Sequence, residues 1–276
     1  MTYLRLGSIE YQNTLPINYR LKEELERRLA VEEYRLIFSY PSELNRMLGE
    51  GELDLAFVSS IYYALHADSF LILPGLSISS AGQVKSVLLF STRPLEQVKR
   101  VALPHTSATS INMLQILLEE LSRYQVEYIH TRSSLEEMLA GAEAALLIGD
   151  QALQAREKAR DLKVFDLGQL WFQHTGEVMV YALWVLSSGV ESEQPRRLAA
   201  VHRSLLAARD WGLSHLEEIQ RASSLEDKKA EDYYRHLGYR LDEAEKRGLK
   251  TFYQEAFRAG LLSEPVKPLY WRERNE

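Results

Sequence analysis

Apolar residues follow two rhythms along this chain. Short, nearly continuous runs, "YLRLG" (3–7), "YRLIFS" (34–39), "DLAFVS" (54–59) and "SVLLFS" (86–91), have the length and composition of buried strands. Between them the spacing becomes helical: Ile17, Leu21, Leu25 and Leu29 share one face, and "PSELNRML" opens with Pro and Ser, which favour a helix start. The same grammar restarts near residue 101 with "VALP", a helix from Ser107 to Leu121, "VEYIHT", a helix through "SLEEMLAG", and "AALLIGD". From residue 190 onward the pattern is helical, with Leu198, Val201, Leu205 and Ala208 on one face, until "EPVKPLYW" ends regular structure.

Strands that alternate with helices predict an α/β protein of βαβ units and mainly parallel sheets. One internal comparison organises it. "SELNRML" followed by "DLAFVSSIYYAL" resembles "SSLEEML" followed by "AALLIGDQAL", with Leu44, Met47 and Leu48 falling on Leu135, Met138 and Leu139, and Ser59 and Ser60 on Gly149 and Asp150. A weak repeat and a chance likeness between βαβ units both fit. The apolar "VMVYALWVLSS" (178–188) reads as a strand returning from the middle of the chain, with "VKSVLLFST" as its counterpart. Two crossings imply a hinge and two lobes: residues 1–91 as the first part of lobe I, 92–180 as lobe II, and 181–276 as the return to lobe I with C-terminal helices. Ligands of open parallel sheets bind at strand carboxyl ends, so the cleft between the lobes is the expected site.

Composition narrows the chemistry. At 276 residues with 46% hydrophobic content, the chain can bury a sizeable core unaided. It has no cysteine, which removes disulfides, thiolate metal sites and Cys nucleophiles together. A net charge of -6 with interspersed signs argues against nucleic acid as a partner. No apolar run approaches the ~18 residues of a membrane span, and the start lacks a signal-peptide pattern, so a soluble, cytoplasmic protein is expected.

The familiar catalytic motifs are missing. "GEGEL" (49–53) lacks the third glycine of a dinucleotide fingerprint and reads as a helix stop; no Walker loop, HExxH or GxSxG occurs. The seven histidines show no metal-ligand spacing, although His105 and His174 fall near expected strand exits. Tyr62, Tyr63, Tyr233 and Tyr234 read as packing aromatics. What stands out is "HTSATS" (105–110), which sets Thr106, Ser107, Thr109 and Ser110 beside the free N–H groups of a helix start, a natural anion site. One hydroxyl would suffice for a cap. "VSSIYY" repeats the device with Ser59 and Ser60, and Ser86 faces either the cleft or a turn. Tyr11, Asn13 and Thr14, in "IEYQNTLPI", would project from the first strand's exit into the same cleft, or form an ordinary Asn turn.

The segments "GSIEYQNTLPI", "PSELNRMLGEGELDLAFVSS", "LPGLSISSAGQVKSVLLFS", "LPHTSATS", "AALLIGDQAL" and "DLGQLWFQHTGEVMVYALW", in this order, resemble the menaquinone-biosynthesis family typified by chorismate dehydratase of the futalosine pathway. The resemblance implies the bilobed fold of type 2 periplasmic binding proteins, used in the cytoplasm as an enzyme. Two departures concern the pocket: Gln12 stands where the family has Leu, and Glu177 and Val178 follow "HTG" where it tends toward Leu-Pro.

The implied reaction dehydrates chorismate to 3-[(1-carboxyvinyl)oxy]benzoate and requires no metal or redox cofactor. On the motif match Asn13 is the catalytic position. A neutral amide is a poor base, so Asn13 either holds the substrate for its own carboxylate to take the proton or relays and stabilises charge. Tyr11, Thr14, Ser59, Ser60, Ser86, Ser107, Thr109 and Ser110 are expected to bind substrate. Asp150 is expected to touch the leaving hydroxyl or to be a solvated cap. A solute-binding protein and the related 1,4-dihydroxy-6-naphthoate synthase are the rival readings. Tyr-, Trp- and Leu-rich helices near the C-terminus offer a surface for a homodimer.

Overall fold

The computed structural model describes residues 3–273, with Asp227 and Lys228 described by their backbone alone. In chain order the strands are β1 (Leu4–Ile9), β2 (Tyr34–Ser39), β3 (Leu55–Ser59), β4 (Phe70–Ser80), β5 (Val87–Ser91), β6 (Arg100–Leu103), β7 (Glu127–His130), β8 (Ala144–Ile148), β9 (Lys163–Asp166) and β10 (Met179–Ser187). The helices are α1 (Leu15–Asn18), α2 (Leu21–Glu26), α3 (Pro41–Gly49), α4 (Ser60–Leu65), α5 (Ala108–Leu121), α6 (Leu135–Gly141), α7 (Gly149–Lys158), α8 (Leu167–Thr175), α9 (Val190–Glu193), α10 (Pro195–Ser214), α11 (Leu216–Ala222), α12 (Asp227–Arg235) and α13 (Glu243–Arg258).

The strands form two five-stranded sheets, in the orders β2-β1-β3-β10-β4 and β7-β6-β8-β5-β9. Each has the same plan. Three parallel strands (β2, β1, β3 and β7, β6, β8) are followed by an antiparallel strand, β10 or β5, and a last strand antiparallel to that one. The sheets are therefore mixed, where βαβ grammar alone predicts mainly parallel ones. β3 (LAFVS) and β8 (AALLI) are nearly continuous apolar runs because they lie mid-sheet with helices over them. Trp171, Trp184, Tyr63 and Phe57 are among the bulkiest side chains of the core.

The two sheets exchange strands. β5 crosses into the second sheet and β10 returns to the first, so residues 81–86 and 176–178 are the connections between lobes. β5, read as a crossing segment but included in residues 1–91 of lobe I, pairs with β8 and β9, so the boundary falls before it. The crossings are tightly packed. A Cβ on Gly168 would lie 2.5 Å from the carbonyl oxygen of Gly82, 2.7 Å from the Tyr181 hydroxyl and 2.8 Å from Ser80 Oγ.

The internal likeness has a structural counterpart in α3-β3-α4 and α6-β8-α7, shifted by one residue. β3 ends at Ser59 and β8 at Ile148, so Ser59 corresponds to Ile148 and Ser60 to Gly149. β4 escapes the hydrophobic pattern because Pro74 and Gly75 interrupt it; as an edge strand it tolerates the missing N–H.

Candidate active site

The exits of β1, β3, β6 and β8 and the adjoining crossing enclose a small cavity of about 70 Å³ between the lobes. Tyr11, Asn13, Ser59, Ser86, Ser107 and Ser110 all line it, between the apolar walls of Ile9, Ile78, Val87 and Ile148. A larger open groove of about 420 Å³ runs between α6 and α7, past Leu135, Leu139, Gln154 and Ala155. None of that groove's lining side chains is a buried polar group without a partner, whereas Asn13 Oδ1 and Ser59 Oγ in the smaller cavity both are. Orphaned buried polar atoms are costly and ask for a ligand.

The turn after β1 shows how local chemistry aims Asn13. Thr14 Oγ1 donates to the carbonyl oxygens of Ile9 (2.7 Å) and Tyr11 (2.8 Å), and Asn18 Nδ2 donates to Ile9 O and to Thr14 Oγ1. These bonds close a single turn of 3-10 helix over Gln12–Thr14. Thr14 is thus buried inside the turn and does not line the cavity, which corrects its expected role; its hydroxyl shapes the backbone that carries Asn13. Gln12 points away, its Oε1 accepting from Ser223 Oγ at 2.7 Å and from Tyr234 OH at 3.4 Å.

Ser60 and Thr109 are corrected in the same way. Ser60 Oγ donates to Val180 O at 2.7 Å, and Thr109 Oγ1 lies 3.2 Å from both Ser60 Oγ and the Ile61 N–H. Both side chains are buried between the lobes and tie α4 to α5 rather than reaching the cavity. Ser107 differs: at the N-cap of α5 it adopts φ 64° and ψ 69°, a left-handed conformation unusual for a residue with a Cβ, and its Oγ sits 2.7 Å from Ser110 Oγ.

Among the described residues no charged side chain lines the cavity. The starts of α4, α5 and α7 meet there instead, at Ser59, at Ser107 and Ser110, and at Ile148 and Gly149. The helix dipoles supply positive potential without a counter-charge to desolvate. The arrangement suits an anion with an apolar body.

Asp150, in the first turn of α7, lies behind this wall and not in it. Burial pushes its carboxyl above the ordinary range, the Gln12 backbone N–H offsets part of the effect, and Oδ1 has no partner. Burial likewise raises the Tyr11 phenol, with smaller contributions from Tyr40 and Asp150. His174 stands in the last turn of α8, not at a strand exit, and its Nδ1 is 3.4 Å from Glu120. His105 and His130 face each other with ring centroids 5.8 Å apart. Among the described residues no group of three or more His, Cys, Asp or Glu could hold a metal ion.

Tyr181 also lines the cavity, a residue that sequence reasoning passes over because it sits within an apolar strand. Ser80 Oγ donates to Gly82 O at 3.0 Å, and the Tyr181 hydroxyl lies 3.0 Å from Ser80 Oγ. With the serine proton engaged by the carbonyl, the phenol donates to Ser80.

Two sheets that exchange strands around a polar-tipped cleft define a bilobed α/β protein of the periplasmic-binding-protein class. The chain superposes on a solved Archaeoglobus fulgidus protein with a TM-score of 0.70 at 19% identity, covering 95% of this chain and 99% of that one. The alkanesulfonate-binding protein of Xanthomonas axonopodis pv. citri, solved bound to MOPS, gives 0.69 at 16% identity with 96% of each chain covered. Residues 4–258 match the family described as menaquinone biosynthesis, and the chain belongs to that family. The chorismate dehydratase of Thermus thermophilus is 32% identical over 290 aligned positions, which cover 97% of this chain and 98% of that protein.

Proposed function

We propose that this protein is a chorismate dehydratase, a cytoplasmic carbon–oxygen lyase that removes water from chorismate to give 3-[(1-carboxyvinyl)oxy]benzoate. The observation that carries the reading is the buried, unpartnered Asn13 Oδ1 in an uncharged cavity built from helix starts and hydroxyls. The likeness to the Thermus enzyme along nearly the whole chain supports it.

Chorismate carries two carboxylates, an apolar ring and one hydroxyl. Helix N-termini and the hydroxyls of Ser59, Ser86, Ser107 and Ser110 receive the carboxylates, and the walls of Ile9, Ile78 and Val87 cover the ring. The ring hydrogen beside the enol ether leaves as a proton, its electron pair becomes the new ring double bond, and the neighbouring hydroxyl departs with a proton as water. Aromatisation drives the reaction, so the protein's task is to hold one geometry in which this elimination outruns loss of the enolpyruvyl group.

A neutral amide does not supply the base. Asn13 fixes the substrate so that its enolpyruvyl carboxylate takes the ring proton, and the amide stabilises charge as it develops. Mixing the purified protein with chorismate and following the ultraviolet spectrum tests the reading. The benzoate chromophore is expected to grow catalytically; chorismate retained unchanged would make this a binding protein instead.

A further inference from the structure

Tyr233 belongs to α12, far along the chain from the strand exits, yet it reaches the cavity wall. Its ring is 2% exposed, and its hydroxyl donates to Ser86 Oγ at 3.0 Å. Ser86 precedes β5, lines the cavity, and is held in place because its carbonyl accepts the Gly149 N–H at 2.7 Å. A serine oxygen that accepts from a phenol keeps its own proton for another partner. The acceptor within the protein is Val84 O at 3.5 Å, the outer limit of a hydrogen bond. Burial raises the Tyr233 phenol, and the Ser86 bond offsets only part of that, so Tyr233 stays protonated and donates throughout the working pH range.

We propose that Tyr233 is a positioning residue that commits Ser86 to donate its hydrogen to a ligand carboxylate, an assignment that rests on reading the ligand as a ring acid with two carboxylates. The pair makes the wall selective. A ligand atom that accepts hydrogen bonds is satisfied at Ser86, whereas one that donates finds only the second lone pair of an oxygen already engaged by the phenol. Helix α12 therefore takes part in the site through a single proton direction, without touching the ligand.

Benzene-1,3-dicarboxylate, titrated calorimetrically against wild type, Y233F, S86A and the double variant, separates this inference from the reaction it accompanies. Losing the hydrogen bond to a charged group is expected to weaken dicarboxylate binding about tenfold in S86A, and losing the phenol that orients Ser86 should weaken it several-fold in Y233F. The double variant should be no weaker than S86A, because both changes remove one interaction. With chorismate, KM should rise by a similar factor while kcat stays nearly constant. Wild-type affinity in Y233F, or losses that multiply in the double variant, would overturn the proposal. So would a wild type that neither binds the dicarboxylate nor turns over chorismate. Dicarboxylate binding with the expected pattern but no turnover would sink the dehydratase reading and leave the Tyr233–Ser86 assignment standing. Should Y233F not fold, S86T keeps the hydroxyl and should bind nearly as wild type, while S86A does not; equal loss in both would overturn the assignment.

Discussion

Thr109 Oγ1, in the first turn of α5, accepts the Ile61 N–H, in the first turn of α4 on the facing lobe, at 3.2 Å. Ser59 occupies the N-cap of α4 and would ordinarily take that bond, yet its side chain makes no cap hydrogen bond. The cap comes from the other lobe, and Ser59 Oγ is left free at the cavity. Thr109→Val keeps the shape and removes the acceptor. It is expected to cost about 1 kcal/mol in urea unfolding, the usual worth of a cap. It should also weaken dicarboxylate binding several-fold, because Ser59 becomes free to close on its own helix. Lost stability with unchanged binding would place Ser59 outside the ligand contact.

Asn13→Ala should separate activity from stability. The Oδ1 atom is buried without a partner, so removing it breaks no hydrogen bond that the folded chain makes through that oxygen. Turnover of chorismate is expected to fall by about a hundredfold or more, as when a donor to developing charge is removed. Thermal stability should hold or rise, as at sites where function opposes stability. A variant with full turnover would remove Asn13 from the reaction.

Much of this site is legible in the chain because the chemistry follows directly after apolar runs. Asn13, Ser59, Ser107 and Ser110 stand where strands end and helices start, and the structure gathers them around one cavity. Thr14, Ser60 and Thr109 look the same in sequence. Their hydroxyls are taken by Ile9 O, Val180 O and the Ile61 N–H, and such partners exist only once distant segments meet. Tyr181 lies inside an apolar strand and Tyr233 in the charged segment "DKKAEDYYR", and both read as packing aromatics; the phenol's partner, not the residue type, gives each its role. For the fold, alternation of strand and helix fixes the α/β class, and the apolar segments 84–92 and 178–188 announce two crossings. Which strands β5 and β10 pair with is a long-range matter that no local period encodes.

Gly168 tests how closely the crossings govern the cavity. A methyl group there would lie 2.5 Å from a backbone carbonyl, 2.7 Å from the Tyr181 hydroxyl and 2.8 Å from that of Ser80. Gly168→Ala should destabilise by about 1–3 kcal/mol, the usual cost of overpacking. It should also raise KM for chorismate by displacing Tyr181. Gly141, at the end of α6, is the control: nothing lies within 4 Å of its added Cβ. Gly141→Ala should gain up to about 1 kcal/mol from helix propensity. Equal effects at both positions, read by urea unfolding, would contradict the packing argument.

Asp150 makes a pH-dependent prediction whose sign is the reverse of the usual one for a carboxylate. Its pKa in the folded chain is raised, chiefly by burial, with the Gln12 N–H opposing. The folded state therefore binds this proton more tightly than the unfolded state does. Stability is unaffected below the ordinary carboxylate value, declines as pH rises from there through the raised value, and stays lower above it. Asp150→Asn has no charge to bury and can still accept the Gln12 N–H. Its melting temperature should exceed that of wild type at neutral pH, and the gap should close as pH falls toward the ordinary carboxylate range. A gap that widened on acidification would mean the carboxylate is stabilised by its surroundings, contrary to its unpartnered Oδ1. The same substitution removes a negative charge from near Tyr11, which lines the cavity. A dicarboxylate should then bind more tightly at neutral pH, with the advantage fading in the same pH interval.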